Sequence, residues 1–250
     1  MLSKSSVKYI QSLYHKKFRD EEGLFVAEGP KVAAELLTGA AHLIRGIYAV
    51  KSWLNSNAFL LEQVPEEKIL VVEQFELEKI SALSTPNQVL VVAQKLTHDP
   101  THKAGITLLL DDIQDPGNMG TIIRTADWFG VTNVVCSMSS ADIYNPKVIQ
   151  STMGSILRVH TAYTDLEEWC KINSHIKLYA TALNGQHLYA CKPEPGMALL
   201  IGNESRGVRS ELLGIAHKKI TIPRKGKAES LNAAVATGIV LAHFVNTDIF

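Results

Sequence analysis

The chain has 250 residues, 46% hydrophobic and 20% charged, which suits one large globular domain or two smaller ones. Lys and Arg balance Asp and Glu at 25 each, so no global field selects a nucleic acid or a membrane, and such a partner must be met by a local patch. Three cysteines without metal-ligand spacing (Cys136, Cys170, Cys191), scattered histidines, no signal-peptide core and no apolar run of bilayer length give the expectation of a cytoplasmic protein with buried thiols, no metal and no membrane partner.

Residues 4–18 read as a helix, with Val7, Ile10, Leu13, Tyr14 and Phe18 at helical spacing. Lys4, Lys8, Lys16, Lys17 and Arg19 carry five positive charges before the first acid, Asp20, which reads as a solvated face or as phosphate contact. Leu24–Ala27 then reads as a strand, followed by a helix opened by Pro30 and running to about Leu37. The alternation continues with a strand over 43–50, a helix over 52–61, a strand over 69–72, a helix over 74–83 and a strand over 88–94. Residues 1–95 therefore form a small α/β domain. Residues 96–105, polar with Pro100 and Gly105, read as a linker, and 106–250 as a second domain.

In the second domain, Ile106–Leu110 is a buried strand, Asn118–Phe129 a helix ended by Gly130, and Val131–Cys136 a strand. A helix over 145–151, strands over 156–159 and 178–181 flanking a helix near 165–173, strands over 197–201 and 220–222, and a last helix over 231–246 complete it. The fold class expected is α/β, with a mostly parallel sheet covered on both faces.

Three stretches carry chemistry. The first runs from Asp115 to Ala126. On its helix, Ile122, Ile123, Ala126 and Phe129 form an inward stripe. Thr121, Arg124, Thr125 and Trp128 share the opposite side, where a single Arg among uncharged neighbours suggests a ligand or a subunit. Asn118 is placed to cap that helix. The glycines match neither dinucleotide nor Walker spacing, so a nucleotide-phosphate loop is weakly supported.

The second stretch is Gly202–Val208, a polar loop directly after the apolar run Leu199–Ile201, with Glu204 either a surface carboxylate or a site group. The third is Ile222-Pro223 followed by Ser230–Ala236. Ser230 reads as the cap of a helix apolar nearly all round, buried by the sheet and by a second subunit, and Asn232 sits inside it needing partners. Between Arg206 and Lys227, seven basic residues face Glu211 alone, an excess of six positive charges that favours a polyanionic substrate.

Together, Asn118–Ala126, Leu200–Val208 and Ile222-Pro223 with Ser230–Ala236 resemble the three signature motifs of the SpoU (TrmH-type) branch of the SPOUT RNA methyltransferases, covering about residues 106–246. Phe25–Lys31 resembles the start of that family's ribosomal-protein-like, RNA-binding N-terminal domain. Ser205, Arg224 and Lys225 depart from the residues usual at their places.

The resemblance implies a C-terminal segment threaded into a deep trefoil knot, a topology otherwise nearly absent. It implies S-adenosyl-L-methionine held in the knot by Gly202, Ile222 and Leu231, with Asn203 and Thr181 lining the pocket, and a homodimer. The reaction implied is methyl transfer to a ribose 2′-hydroxyl of structured RNA, ribosomal RNA rather than tRNA. Arg124 would bind the adjacent phosphate and hydroxyl, with Asn118, Glu204, Ser230 and Asn232 orienting the groups. A tRNA acceptor and a non-catalytic RNA-binding or assembly factor on the same fold are the alternatives.

Overall fold

A computed structural model describes residues 2–97 and 105–246, with the side chain of Asn246 excepted. Most of the expected linker, 98–104, lies outside the described residues. The chain divides into two compact units, Met1–Thr97 with Asp142–Leu157, and His98–Ala141 with Arg158–Phe250.

The first unit is built on a four-stranded sheet in the order β1-β4-β2-β3. Its strands are β1 (Leu24–Glu28), β2 (Ile44–Ala49), β3 (Ile69–Val71) and β4 (Val89–Gln94). β4 runs antiparallel to β1 and β2, and β3 parallel to β2. The helices are α1 (Lys4–Ser12), α2 (Lys16–Glu22), α3 (Pro30–Gly39), α4 (Lys51–Ser56), α5 (Ala58–Leu61) and α6 (Gln74–Ile80). Ile10 and Leu13 pack with Val26, Leu77, Ile80 and Leu90 to make its core.

The helix expected over 4–18 is two helices, because Arg19 does not lie on a solvated face. It is only 2% exposed, and its Nη1 donates to the carbonyls of Leu13 (3.0 Å) and Tyr14 (2.8 Å) at the break. Its Nη2 pairs with Asp142 at 2.6 Å, so the segment Asp142–Leu157, which carries a later helix, joins this unit. The helix expected over 52–61 is likewise split at Asn57, whose Nδ2 donates back to the Trp53 carbonyl at 2.8 Å.

The second unit holds a six-stranded, all-parallel sheet, order β10-β8-β9-β5-β6-β7. In chain order its elements are β5 (Thr107–Asp111), α7 (Pro116–Trp128) and β6 (Asn133–Cys136). Helix α8 (Pro146–Thr152) belongs to the excursion into the first unit. Then follow β7 (His160–Tyr163), α9 (Leu166–Ile172), β8 (Leu178–His187), β9 (Ala198–Gly202), α10 (Ser210–Ile215), β10 (Lys218–Thr221) and α11 (Ala233–Asn246). Leu109, Val135, Leu178 and Leu200 of the strands pack under Leu166, Trp169 and Leu212, while α7 and α11 pack against each other. Strands buried on both sides explain the unbroken apolar runs in the sequence.

The strand expected over 156–159 is corrected. Ser155–Leu157 is a 3-10 turn, entered through Met153 in the left-handed region (φ 51°), and the strand starts only at His160.

The sheet order makes β5 and β9 neighbours, with Asp111 opposite Gly202 at their carboxyl ends. From there the chain moves outward one way through β6 and β7 and the other way through β8 and β10. This is the switch point at which parallel α/β sheets bind ligands.

Strand β10 pairs first with Tyr179 and Ala180 and then jumps to Gln186 and His187, so residues 181–185 arc out of β8. The backbone of β10 touches that arc closely: a Cβ on Gly185 would lie 2.6 Å from the Lys219 carbonyl oxygen.

Candidate functional site

At the end of β5 the apolar run stops at Asp111, which is fully buried. Its carboxylate accepts the Arg209 backbone N–H at 2.9 Å and Arg209 Nε at 2.8 Å, fixing the end of the β9–α10 loop. Asp112 follows with φ 58°. Its N–H donates to Ser137 Oγ at 2.9 Å, and its carbonyl accepts from Asn203 Nδ2 at 2.8 Å.

Asp115, not Asn118, caps α7. Its Oδ1 accepts the Asn118 N–H at 2.8 Å, with Pro116 in the first turn. This frees the Asn118 side chain. Its Nδ2 donates to Glu204 Oε1, and its Oδ1 accepts from Asn232 Nδ2 at 2.8 Å.

Asn232 in turn caps α11, accepting the N–H groups of Ala234 (3.0 Å) and Val235 (3.2 Å). The expected cap, Ser230, lies three residues before the first helical residue and is exposed. The two amides are therefore oriented without ambiguity. The backbone donors claim the oxygen of Asn232, which turns its nitrogen to Asn118, which turns the nitrogen of Asn118 to the carboxylate. A relay of three side chains joins all three sequence stretches. Glu204 Oε2 is left with no donor among the described residues.

The loop carrying Glu204 is rigid. Asn203 and Gly207 exchange backbone hydrogen bonds (3.1 and 2.8 Å), and Asn203 Oδ1 accepts from the N–H groups of Ser205 (2.9 Å) and Arg206 (3.2 Å). The Asn203 side chain, expected to line a cofactor pocket, is committed to holding this loop. The return of the chain at Gly207 (φ 69°) leaves no room for a side chain on Gly202, whose Cβ would sit 2.2 Å from the carbonyl carbon of Gly207 and the nitrogen of Val208.

Thr181 Oγ1 donates to the Leu200 carbonyl at 3.1 Å, where β8 parts from β9. Ile222 follows β10 directly and Leu231 precedes Asn232. The backbone groups of both make no hydrogen bond among the described residues. Open backbone donors and acceptors beside apolar side chains suit a ligand with a flat heteroaromatic ring and polar ends.

Arg124 stands apart from the relay. It lies six residues beyond Asn118 on α7, a rise of about 9 Å, and is exposed, with no hydrogen bond or ion pair among the described residues. Trp128, one turn further, is 85% exposed, and Val235 on the adjoining α11 is 52% exposed. The terminal helix is thus buried on one side only.

The basic excess is smaller in space than in sequence, because Asp111 holds Arg209 and Glu194 holds Lys218 (3.1 Å). Lys219, Arg224, Lys225 and Lys227 remain exposed without an ion pair among the described residues.

The cysteines are free. Burial pushes the thiols of Cys136 and Cys191 up, and that of half-buried Cys170 to about 11 by burial first and by Asp165 and Glu167 after it. Among the described residues, no group of three or more His, Cys, Asp and Glu side chains is placed to hold a metal ion, and no helix is long and apolar enough to cross a membrane.

Residues 105–242 match the SpoU rRNA Methylase family, and residues 4–91 match the MRM3-like substrate binding domain. The chain is 32% identical to the 23S rRNA (guanosine(2553)-2′-O)-methyltransferase RlmP of Bacillus subtilis, over 95% of this chain and 94% of that protein. It is 28% identical to the 23S rRNA (uridine(2479)-2′-O)-methyltransferase of Streptomyces viridochromogenes, over 73% and 68%. An AdoMet-bound rRNA methyltransferase from Sinorhizobium meliloti superposes with a TM-score of 0.87 at 27% identity, covering 100% of this chain and 97% of that one.

Proposed function

The chain belongs to the SpoU rRNA methylase family, and on that premise we propose that it transfers the methyl group of S-adenosylmethionine to a ribose 2′-hydroxyl of ribosomal RNA in the cytoplasm. The observation that carries this is the relay from Asn232 through Asn118 to Glu204, which gathers the three motif segments at the sheet's switch point.

The cofactor brings a methyl group already activated on sulfonium, so the protein's work is alignment and removal of the hydroxyl proton. Gly202, Ile222, Leu231 and Thr181 would hold it, the open backbone groups of Ile222 and Leu231 meeting its polar edges. The close passage of β10 against the 181–185 arc supports the reading that this pocket lies in a knot.

Arg124 binds the phosphate and hydroxyl of the acceptor nucleotide. A guanidinium stays protonated in a protein, so it positions and stabilises charge and does not take the proton. Glu204 Oε2 is the open acceptor at the end of the relay. Ser230, exposed and two residues before Asn232 in the chain, would add a hydroxyl to the site.

Two relatives are named for different bases, a guanosine and a uridine, so membership of the family leaves the target base open. Mapping 2′-O-methyl groups in ribosomal and transfer RNA from cells with and without the gene tests the substrate. Loss confined to a ribosomal site supports this reading, loss at a tRNA site replaces it, and no loss together with no calorimetric S-adenosylmethionine binding points to an assembly factor.

The working unit is a homodimer in this reading. Arg124 lies off the relay of its own protomer, and it shares the exposed side of α7 and α11 with Trp128 and Val235, a face that a second copy would cover. Trp128→Asp is expected to give a monomer by light scattering, with methyl transfer lost and the circular dichroism spectrum kept. A dimer of normal activity would refute this.

The exposed bases after β10 serve the RNA backbone. Replacing Arg224, Lys225 and Lys227 together with Ser should raise the KM for RNA about tenfold and flatten its dependence on salt by ~2–3 in log–log slope. An unchanged slope would rule out phosphate contact there.

A further inference from the structure

Beside the relay, and separate from the residues assigned to the cofactor, lies a concavity of about 320 Å³ lined by Asp112, Gln114, Ser139, Arg206, Gly207 and Arg209. Three observations bear on its occupant. The Asp112 side chain is only 13% exposed, and one of its oxygens makes no hydrogen bond among the described residues. Oδ1 accepts from Gln114 Nε2 at 2.9 Å, while Oδ2 has only Arg206 Nη2, at 3.7 Å, too far for a hydrogen bond. The Arg206 side chain is 74% exposed, while its backbone N–H is pinned by Asn203. A largely exposed guanidinium, held only by a long ion pair to Asp112, thus stands on a fixed base. Lastly, Asp112 is one of two non-glycine residues with positive φ among the described residues, a conformation that glycine adopts without a side chain and with less strain.

The charges decide between two ligands. Arg206 and Arg209 are matched by Asp111 and Asp112, so a phosphate would lie against the Asp112 carboxylate with no net attraction. A neutral ring edge that presents two donors next to an acceptor meets both groups at once. We propose that this concavity binds a guanine base of the acceptor RNA, with the Asp112 carboxylate receiving N1–H and N2–H and Arg206 donating to O6. The assignment rests on the reading of the chain as an RNA-modifying enzyme only for the source of the base.

The test is a ligand-observed NMR titration of the full chain with GMP, AMP, UMP and inorganic phosphate. GMP should bind at least about tenfold more tightly than AMP or UMP, the discrimination typical of a bidentate pair. Asp112→Asn offers one donor and one acceptor. It should lose GMP about tenfold and gain xanthosine monophosphate, whose O2 replaces the N2 amine. Asparagine tolerates positive φ, so this variant should fold. Arg206→Gln, at an exposed side chain, is the second variant and should weaken GMP without creating xanthine binding.

Equal binding of all three nucleotides, inorganic phosphate competing as well as GMP, or no GMP binding at millimolar concentration would each overturn the proposal. The titration needs neither cofactor nor turnover. A protein that selects GMP but transfers no methyl group to ribosomal RNA would sink the methyltransferase reading and leave the pocket standing; methyl transfer without GMP selectivity would do the reverse.

Discussion

Arg124→Ala is expected to lower methyl transfer about 10³-fold, the cost of removing one preorganised charge-stabilising donor together with loss of alignment. S-adenosylmethionine affinity should stay within about twofold, because Arg124 is not among the residues that would hold the cofactor. The melting temperature should be nearly unchanged, since the side chain is exposed and unpaired among the described residues. Arg124→Lys separates the two contributions. It keeps the charge but loses the planar fork, so activity should recover only in part. Single-turnover rates with bound cofactor, read beside calorimetry, are the measurement. Unchanged turnover in the alanine variant removes Arg124 from the mechanism. A parallel loss of cofactor affinity would move it into the cofactor pocket instead.

What the sequence disclosed and what it hid follow from how far each interaction reaches along the chain. The parallel sheet was legible because buried strands must be apolar throughout, and Leu108–Leu110, Val134–Cys136 and Leu199–Ile201 have no other reading. The three site stretches were legible because polar groups directly after such runs fall at the carboxyl ends of the strands.

The break between α1 and α2 was not legible. Its cause, the Arg19–Asp142 pair, joins residues 123 positions apart, and nothing near Leu13 announces it. The assignment of the α7 and α11 caps failed for a subtler reason. Asp115 and Asn118, like Ser230 and Asn232, are equally good capping types in sequence. The choice is made in space, where Asn118 is needed between Glu204 and Asn232 and so cannot serve its own helix. Asp111 supports the site through a signal that is legible locally: a carboxylate ending a fully apolar strand requires a buried partner, here Arg209.

Gly202→Ala is the second large effect. The added methyl would lie 2.2 Å from the Gly207 carbonyl carbon and the Val208 nitrogen, and 2.5 Å from the Gly207 oxygen. All three are backbone atoms, so no rotamer change relieves the clash, and the loop must open. Forced overpacking costs about 1–3 kcal/mol or more, and here it would separate the two ends of a loop closed by the Asn203–Gly207 pair. Opening that loop displaces Glu204 from Asn118 and the β9 end from the cofactor pocket. The variant should therefore lose S-adenosylmethionine affinity by about 100-fold or more, roughly 2.7 kcal/mol.

Gly207→Ala provides the contrast within the same loop. Nothing lies within 4 Å of its Cβ position, but its φ of 69° makes alanine strained. The expected cost is about 1–2 kcal/mol of stability, with cofactor affinity largely kept. If the two variants bind S-adenosylmethionine equally well, the loop is not what shapes the cofactor pocket, and the assignment of Gly202 to it fails. If Gly202→Ala alone fails to bind, the close approach of backbone to backbone at the end of β9 is the feature on which the site is built.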